Sequence, residues 1–299
     1  MLPPVVRKAT VLAALAFACA GTASEGSGPR SLGLALAETE SPDRHWVTGG
    51  VTAPLAKEVA TPLEAEPAIP VHALTSSEIA ARLSSDPASL GAMSIGGPSR
   101  GALFNAEQVP EKNQLWQVVE PEFSWGTPEA IRSLEAAIAR VHTEYPDSPP
   151  LYVGHLSARR GGYLRPHRSH QSGRDVDLGY FYLGGPGWYV RATAKTLDVP
   201  RTWALVKAFA ADSNVEAIFM DRSVQRLLVD HAKALGETPS SLEKIFEGSH
   251  RGGEHLVRHE WGHLTHLHVR FKCPEAQNAG ARAHAELVLS RQIPPRRYY

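Results

Sequence analysis

HLHVRF, residues His266 to Phe271, alternates with the period of a β-strand. Side chains two apart on a strand point to the same side, so His266 and His268 share one face. Two neighbouring imidazoles on a rigid element are a metal-ligand pattern. The residues just before them offer a competitor, HEWGH, His259 to His263, which fits H-E-x-x-H. On a helix that pattern puts two imidazoles on one face, with Glu260 as base. Such a helix would have to continue through Gly262 and give way almost at once to the strand. A glycine inside a helix costs about 1 kcal/mol, which is tolerable. What H-E-x-x-H lacks is a third ligand, and it leaves a second cluster upstream unexplained.

That cluster is RPHRSHQSGRDVDLGYFY, which holds His167, His170, Gly173, Asp175 and Asp177. From His170 to Asp177 it has the form H-x-x-G-x-x-x-D. A glycine-bearing turn between histidine and aspartate lets both side chains return to one point. Two neutral imidazoles and one carboxylate make a three-ligand zinc site with the fourth position open for water, which is the catalytic arrangement. Spacing alone does not choose between His266 and His268 as the strand's ligand. Asp175 is expected to cap or brace the turn. His250, His255 and His259 are expected on loops or the surface, and Trp261 is either packing or a stacking surface for substrate.

Around these segments the chain alternates helices and short strands. Thr127-Pro128-Glu129 opens a helix with Thr as N-cap and Pro at the first position, and Ile131, Leu134, Ile138 and Val141 recur on one face. LYVGHLS, from Leu151, and DLGYFYL, from Asp177, read as strands. Thr202–Ala211 and Ser223–Leu235 read as helices, and Val215–Met220 as a strand. SIGGPSRGALFN, from Ser94, has three glycines and a proline and reads as a structured loop. No regular βαβ period is present, so the expected class is α+β: a small, largely antiparallel sheet with flanking helices in a single domain over 89–299, including a C-terminal tail.

The N-terminal part has a different character. Arg7 and Lys8 precede an apolar run from Ala9 to Ala20, too short for a membrane span of about 20 residues but suited to a signal peptide over 1–23. Export to the periplasm is expected, with membrane attachment only if Cys19 is lipidated. Residues 24–88, rich in Ala, Pro, Glu, Ser and Gly, read as a flexible tether, with a short helix at Ser76–Leu83. Lys+Arg and Asp+Glu both total 31, so there is no basic surface for nucleic acid. Fourteen histidines stand against 2 cysteines, which leaves room for one disulfide at most.

The paired signatures H-x-x-G-x-x-x-D and H-x-H resemble those of the zinc peptidases grouped around lysostaphin, the D-Ala-D-Ala carboxypeptidases and the Hedgehog domain. The finer details are similar to the penicillin-insensitive murein endopeptidase family: SIGG at Ser94, Gly161-Gly162, HRSHQSGRDVDL, and HLTHLHVRFKCP from His263 to Pro274. The likeness covers Ser94 to Pro274. It implies Zn2+ held by His170, Asp177 and His268, with His266 and His263 as the non-ligand catalytic histidines. Their implied work is to take a proton from water, stabilise the tetrahedral oxyanion and return a proton to the leaving amine. It also implies peptidoglycan as substrate, with the D-alanyl–meso-diaminopimelyl cross-link as the bond and no acyl-enzyme. His167 matches a further family histidine that binds a second metal at a subunit contact in some members, which carries a homodimer as an expectation. The alternatives are a D,D-carboxypeptidase of the same zinc group and a non-catalytic zinc-containing wall-binding module. The chain departs from cysteine-rich members, because of their disulfide cysteines it retains only Cys273.

Overall fold

The computed structural model describes residues 73–247 and 255–274, with 277, 279, 280, 282, 283 and 287. The expected leader, Cys19, His250 and most of the expected tether lie outside the described residues.

In chain order the elements are α1 (Ser76–Ser85), β1 (Met93–Gly97), β2 (Arg100–Phe104), β3 (Glu107–Gln108), β4 (Trp116–Val118) and β5 (Trp125–Gly126), then α2 (Pro128–Glu144), β6 (Leu151–Val153), β7 (Asp175–Gly179) and α3 (Val199–Ala210). They continue through β8 (Val215–Met220), α4 (Arg222–Ala234), α5 (Pro239–Ile245) and β9 (Val257–His259) to β10 (His266–Phe271). A six-stranded sheet runs β4-β6-β7-β10-β8-β9. Its inner pairings are antiparallel, while β4–β6 and β8–β9 at the two edges are parallel. With the antiparallel pairs β1–β2 and β3–β5, this is the expected α+β, largely antiparallel class.

β10 lies at the centre because its two faces answer different needs. Leu267, Val269 and Phe271 are buried in the main apolar core, while His266 and His268 alternate to the other face. The helix signalled by Thr127-Pro128 is present: the Thr127 side chain accepts from the Ala130 amide, and the helix runs to Glu144. Ile131, Leu134, Ile138 and Val141 are all buried, as the spacing predicts. Burial of four such side chains contributes of order 6–12 kcal/mol before entropy is subtracted. α2 packs on α3, and α3 on α4, behind the sheet.

One expectation changes, and one competing reading falls away. The segment from Ser94 is a β-hairpin rather than a loop, with Gly96 paired to Gly101 and Gly97 to Arg100. Glycine suits this strand for lack of room: a Cβ at Gly101 would lie 2.5 Å from the Gly97 carbonyl oxygen. The H-E-x-x-H helix does not form. β9 ends at His259, a turn follows, and Gly262 has φ +90°, outside helical backbone. Glu260 therefore has no helix on which to serve two imidazoles.

The helix expected at Ser76–Leu83 runs to Ser85 and opens with a capping box between Thr75 and Glu78. Leu74, Ile79 and Leu90 pack with Met93, Ile95, Ala102, Ala279, Ala283 and Leu287 in a second apolar cluster. The end of the segment expected to be a tether is thus part of the packed structure. No helix among the described residues is long and apolar enough to cross a membrane.

Candidate metal centre and active site

The sheet register brings the two signature segments together. Pairing of β7 with β10 sets His268 opposite Asp177 and His266 opposite Gly179. The loop before β7 turns back through two left-handed residues, His170 at φ +63° and Gly173 at φ +71°. Gly173 fits where a side chain would not, since a Cβ there would meet Leu103 Cδ2 at 2.6 Å. The result sets His170 over Asp177. His170 Nε2 is 3.3 Å from Asp177 Oδ1 and 3.1 Å from His268 Nδ1, and His268 Nδ1 is 3.2 Å from the same carboxylate oxygen. All three side chains are buried.

The backs of both rings are fixed. His170 Nδ1 is 2.9 Å from the Leu156 carbonyl oxygen, which can only accept, so that nitrogen carries the hydrogen and Nε2 presents its lone pair inward. His268 Nε2 donates to Asp175 Oδ1 at 2.9 Å. Asp175 also accepts from the His170 amide at 3.0 Å and from Arg270 Nε at 2.8 Å. Burial alone would raise the Asp175 carboxyl, but the charges of His268, His170 and Arg270 outweigh it and hold the group well below the usual carboxylate range. Asp175 therefore stays an ionised acceptor and turns the ring it holds, the brace that metal-bound histidines commonly have.

Asp177 Oδ1 is fully buried and makes no well-aligned hydrogen bond, although two imidazole nitrogens stand 3.2 and 3.3 Å away, an expensive condition for a carboxylate oxygen. Burial acts to raise Asp177, yet His170 and His268 hold it well below its ordinary value. Burial likewise disfavours charge on His268, but Asp175 and then Asp177 push it up to about 9. One proton there serves either His170 Nε2 or Asp177 Oδ1, whereas a cation would satisfy all three lone pairs. Two imidazole nitrogens and a carboxylate oxygen are a zinc donor set, and donors about 2.0–2.2 Å from a tetrahedral ion stand about 3.3–3.6 Å apart. The observed separations of 3.1, 3.2 and 3.3 Å come within a few tenths of an ångström of that requirement.

The other expected histidines surround this triangle. His266 Nε2 lies 3.9 Å from Asp177 Oδ1, and its Nδ1 lies 3.1 Å from Thr265 Oγ1. Burial pushes His266 down to about 4. The ring of His263 is 4.8 Å from that of His266, and burial, then His268, lowers it too. Both are neutral near pH 7 and able to accept a proton. Their turn is pinned from below, where Tyr180 Oη donates to the His263 carbonyl at 2.9 Å and Tyr182 Oη to the Val190 and Thr265 carbonyls.

His167 faces Asp177 Oδ2 at 3.6 Å through Nδ1. The ligand atoms of His167, His170 and Asp177 fall within 4.8 Å of one another, a looser set that overlaps the first. His167 Nε2 is 2.7 Å from His155 Nδ1, and His155 Nε2 is 3.2 Å from Glu120 Oε1. This Glu120–His155 extension was not expected from sequence. Each residue directly follows a strand or its first neighbour, and only the parallel pairing of β4 with β6 brings them together. His255 and His259 are engaged elsewhere, with the Glu243 carbonyl and the Arg222 amide. Trp261 is 78% exposed and meets His259 edge-on, so it does not serve as core packing.

A family model described as "Penicillin-insensitive murein endopeptidase" matches residues 94–286. The chain belongs to this family. Similar curated proteins carry the same name. One from Haemophilus influenzae is 29% identical over 200 residues, covering 60% of this chain and 63% of its own length. One from Pectobacterium atrosepticum is 29% identical over 202 residues, covering 60% and 65%. One from Klebsiella pneumoniae strain 342 is 28% identical over 209 residues, covering 64% and 70%. The chain thus spans less than two thirds of the length of the first two. The matched family region contains the whole triangle and both neighbouring histidines.

Proposed function

We propose that the protein is a zinc metallo-endopeptidase that hydrolyses peptide cross-links of peptidoglycan, of the D-alanyl–meso-diaminopimelyl type, in the periplasm. The observation that carries the reading is the triangle of His170 Nε2, His268 Nδ1 and Asp177 Oδ1, with both rings held from behind and a buried carboxylate oxygen as its third corner. The names of the related proteins supply the substrate class.

His170, Asp177 and His268 would hold the ion. When bound, zinc lowers the pKa of a water to about 7 and polarises a substrate carbonyl. His266, neutral and 3.9 Å from Asp177, accepts the proton of the attacking water. His263, next to it, supplies hydrogen bonding to the oxyanion, and the proton taken by His266 passes on to the leaving amine nitrogen, which restores both neutral rings. The hydrogen bonds from Tyr180 and Tyr182 keep the turn that carries both rings from drifting during the reaction. A hydrolysis organised in this way needs no serine nucleophile for penicillin to acylate.

Purified cross-linked muropeptides, digested and identified by mass, test the reading. Monomers of unchanged stem length are expected. Loss of a single terminal alanine would assign a D,D-carboxypeptidase instead, and unchanged dimers would assign a wall-binding module.

A further inference from the structure

Three non-glycine residues among the described ones have left-handed backbone: Asn105, His170 and Tyr189. Two have local reasons. Asn tolerates this region, and the Asn105 amide donates to the Pro87 and Gly91 carbonyls. His170 is drawn into its conformation by the triangle it completes. Tyr189, at φ +57°, is a bulky side chain in a backbone that disfavours it, and its side chain is 56% exposed. Neither burial nor a capping role accounts for it.

The surroundings explain what holds this conformation. The segment after β7 doubles back over the sheet, and Trp188 lies against Gly154, where any Cβ would overlap the indole. A Cβ at Gly187 would meet Val190 Cγ2 at 2.9 Å, and Tyr182 Oη and the Ala192 amide tie the far side of the segment to the carbonyls of Val190 and Leu264. The loop is therefore clamped, and the clamp aims the Tyr189 ring at the site. Its centroid is 5.5 Å from that of His266 and 5.0 Å from that of Trp188. Leu183, Tyr189 and Val190 together expose an unusual amount of apolar surface on one loop. Strain kept beside a reactive centre, on a residue that contributes little to the core, is the pattern of a ligand-contacting position.

We infer that Tyr189 is a substrate-contact residue, the ring across which the alanyl side of the scissile peptide lies while His266 addresses the bond. This rests on the peptidase reading above. A short methyl-bearing peptide suits an aromatic face, and the ring's place beside His266 sets the peptide's distance from the reacting atoms.

The test uses Tyr189→Gly and Tyr189→Phe in the full zinc-loaded chain. Glycine removes both the ring and the backbone strain. Tyr189→Gly should keep its zinc, show a Tm equal to or above that of the parent, and lose at least tenfold in kcat/KM on cross-linked muropeptide, chiefly through KM. Tyr189→Phe should stay within about threefold of the parent, since the ring face makes the contact. Undiminished kcat/KM in Tyr189→Gly overturns the inference, and so does a lowered Tm with zinc lost in proportion, which would mark a packing residue. Binding of the same muropeptide to zinc-loaded His266→Ala protein, followed by calorimetry, separates the two claims. If the parent cleaves no cross-link, the peptidase reading fails. A tenfold weaker binding in the Tyr189→Gly, His266→Ala double variant still supports the contact, and equal binding overturns it.

Discussion

Asp175→Asn isolates the brace behind the proposed metal triangle without changing its shape. The carboxylate serves three donors: the His170 amide at 3.0 Å, His268 Nε2 at 2.9 Å and Arg270 Nε at 2.8 Å. In the amide one oxygen still accepts, but the NH2 group comes to face the His170 amide as donor against donor. An unsatisfied buried group costs about 1–3 kcal/mol, and removing the charge from each of the other two bonds costs about 1 kcal/mol more. The metal-free protein should therefore lose about 3–5 kcal/mol, a large share of the ~5–15 kcal/mol that folds a domain. Urea unfolding of the metal-free protein measures this.

The zinc effect has its own sign. His268 keeps an acceptor but loses the negative charge that fixes and polarises its ring, and disturbing such a partner typically weakens metal binding about 10–100-fold. Near pH 7 this loss is partly hidden. Asp175 also helps keep a proton on His268, pushed up to about 9 in the parent, and zinc must displace that proton. The ratio of parent to variant affinity, read by chelator competition, should therefore be greatest above pH 9 and shrink as the pH falls. Equal zinc affinity above pH 9 would refute a bracing role for Asp175.

Further outcomes follow from other contacts. His266→Ala should keep its zinc and lose most turnover, measured by metal analysis beside muropeptide digestion; unchanged turnover would remove His266 from proton transfer. Gly154→Ala should displace Trp188, because its Cβ overlaps the indole; overpacking of this kind costs about 1–3 kcal/mol and should appear as a lower urea midpoint. Burial pushes the Tyr182 phenol well above its ordinary value near 10. Its folded pKa is the raised one, so its stabilisation is complete below pH 10 and is lost as the pH rises further. Tyr182→Phe should flatten this alkaline decline in urea titrations, and an unaltered slope would count against it.

Local patterns in the chain carried much of this arrangement. Period two in HLHVRF placed His266 and His268 on one face, and Thr127-Pro128 with its apolar spacing marked α2 nearly to the residue. Gly173 announced the turn that returns His170 to Asp177. What could not be read locally was register. His268 differs from His266 because it pairs opposite Asp177, while His266 pairs opposite Gly179, and that follows from how β7 and β10 meet across almost ninety residues of chain. The hairpin at Ser94 was hidden because its glycines answer to carbonyl crowding rather than to a turn. The competing helix at His259 was ruled out by the turn at Gly262, which tertiary pairing of β9 with β8 sets in place. His155, Glu120 and Tyr189 carry no motif, and only packing brings them to the site.

The central claim is that His170, Asp177 and His268 hold zinc. Metal analysis of purified parent, Asp177→Ala and Glu260→Ala proteins, each checked for folding, tests it most directly. One zinc per chain is expected in the parent and in Glu260→Ala, and none in Asp177→Ala. Zinc retained by folded Asp177→Ala but lost from Glu260→Ala would contradict it.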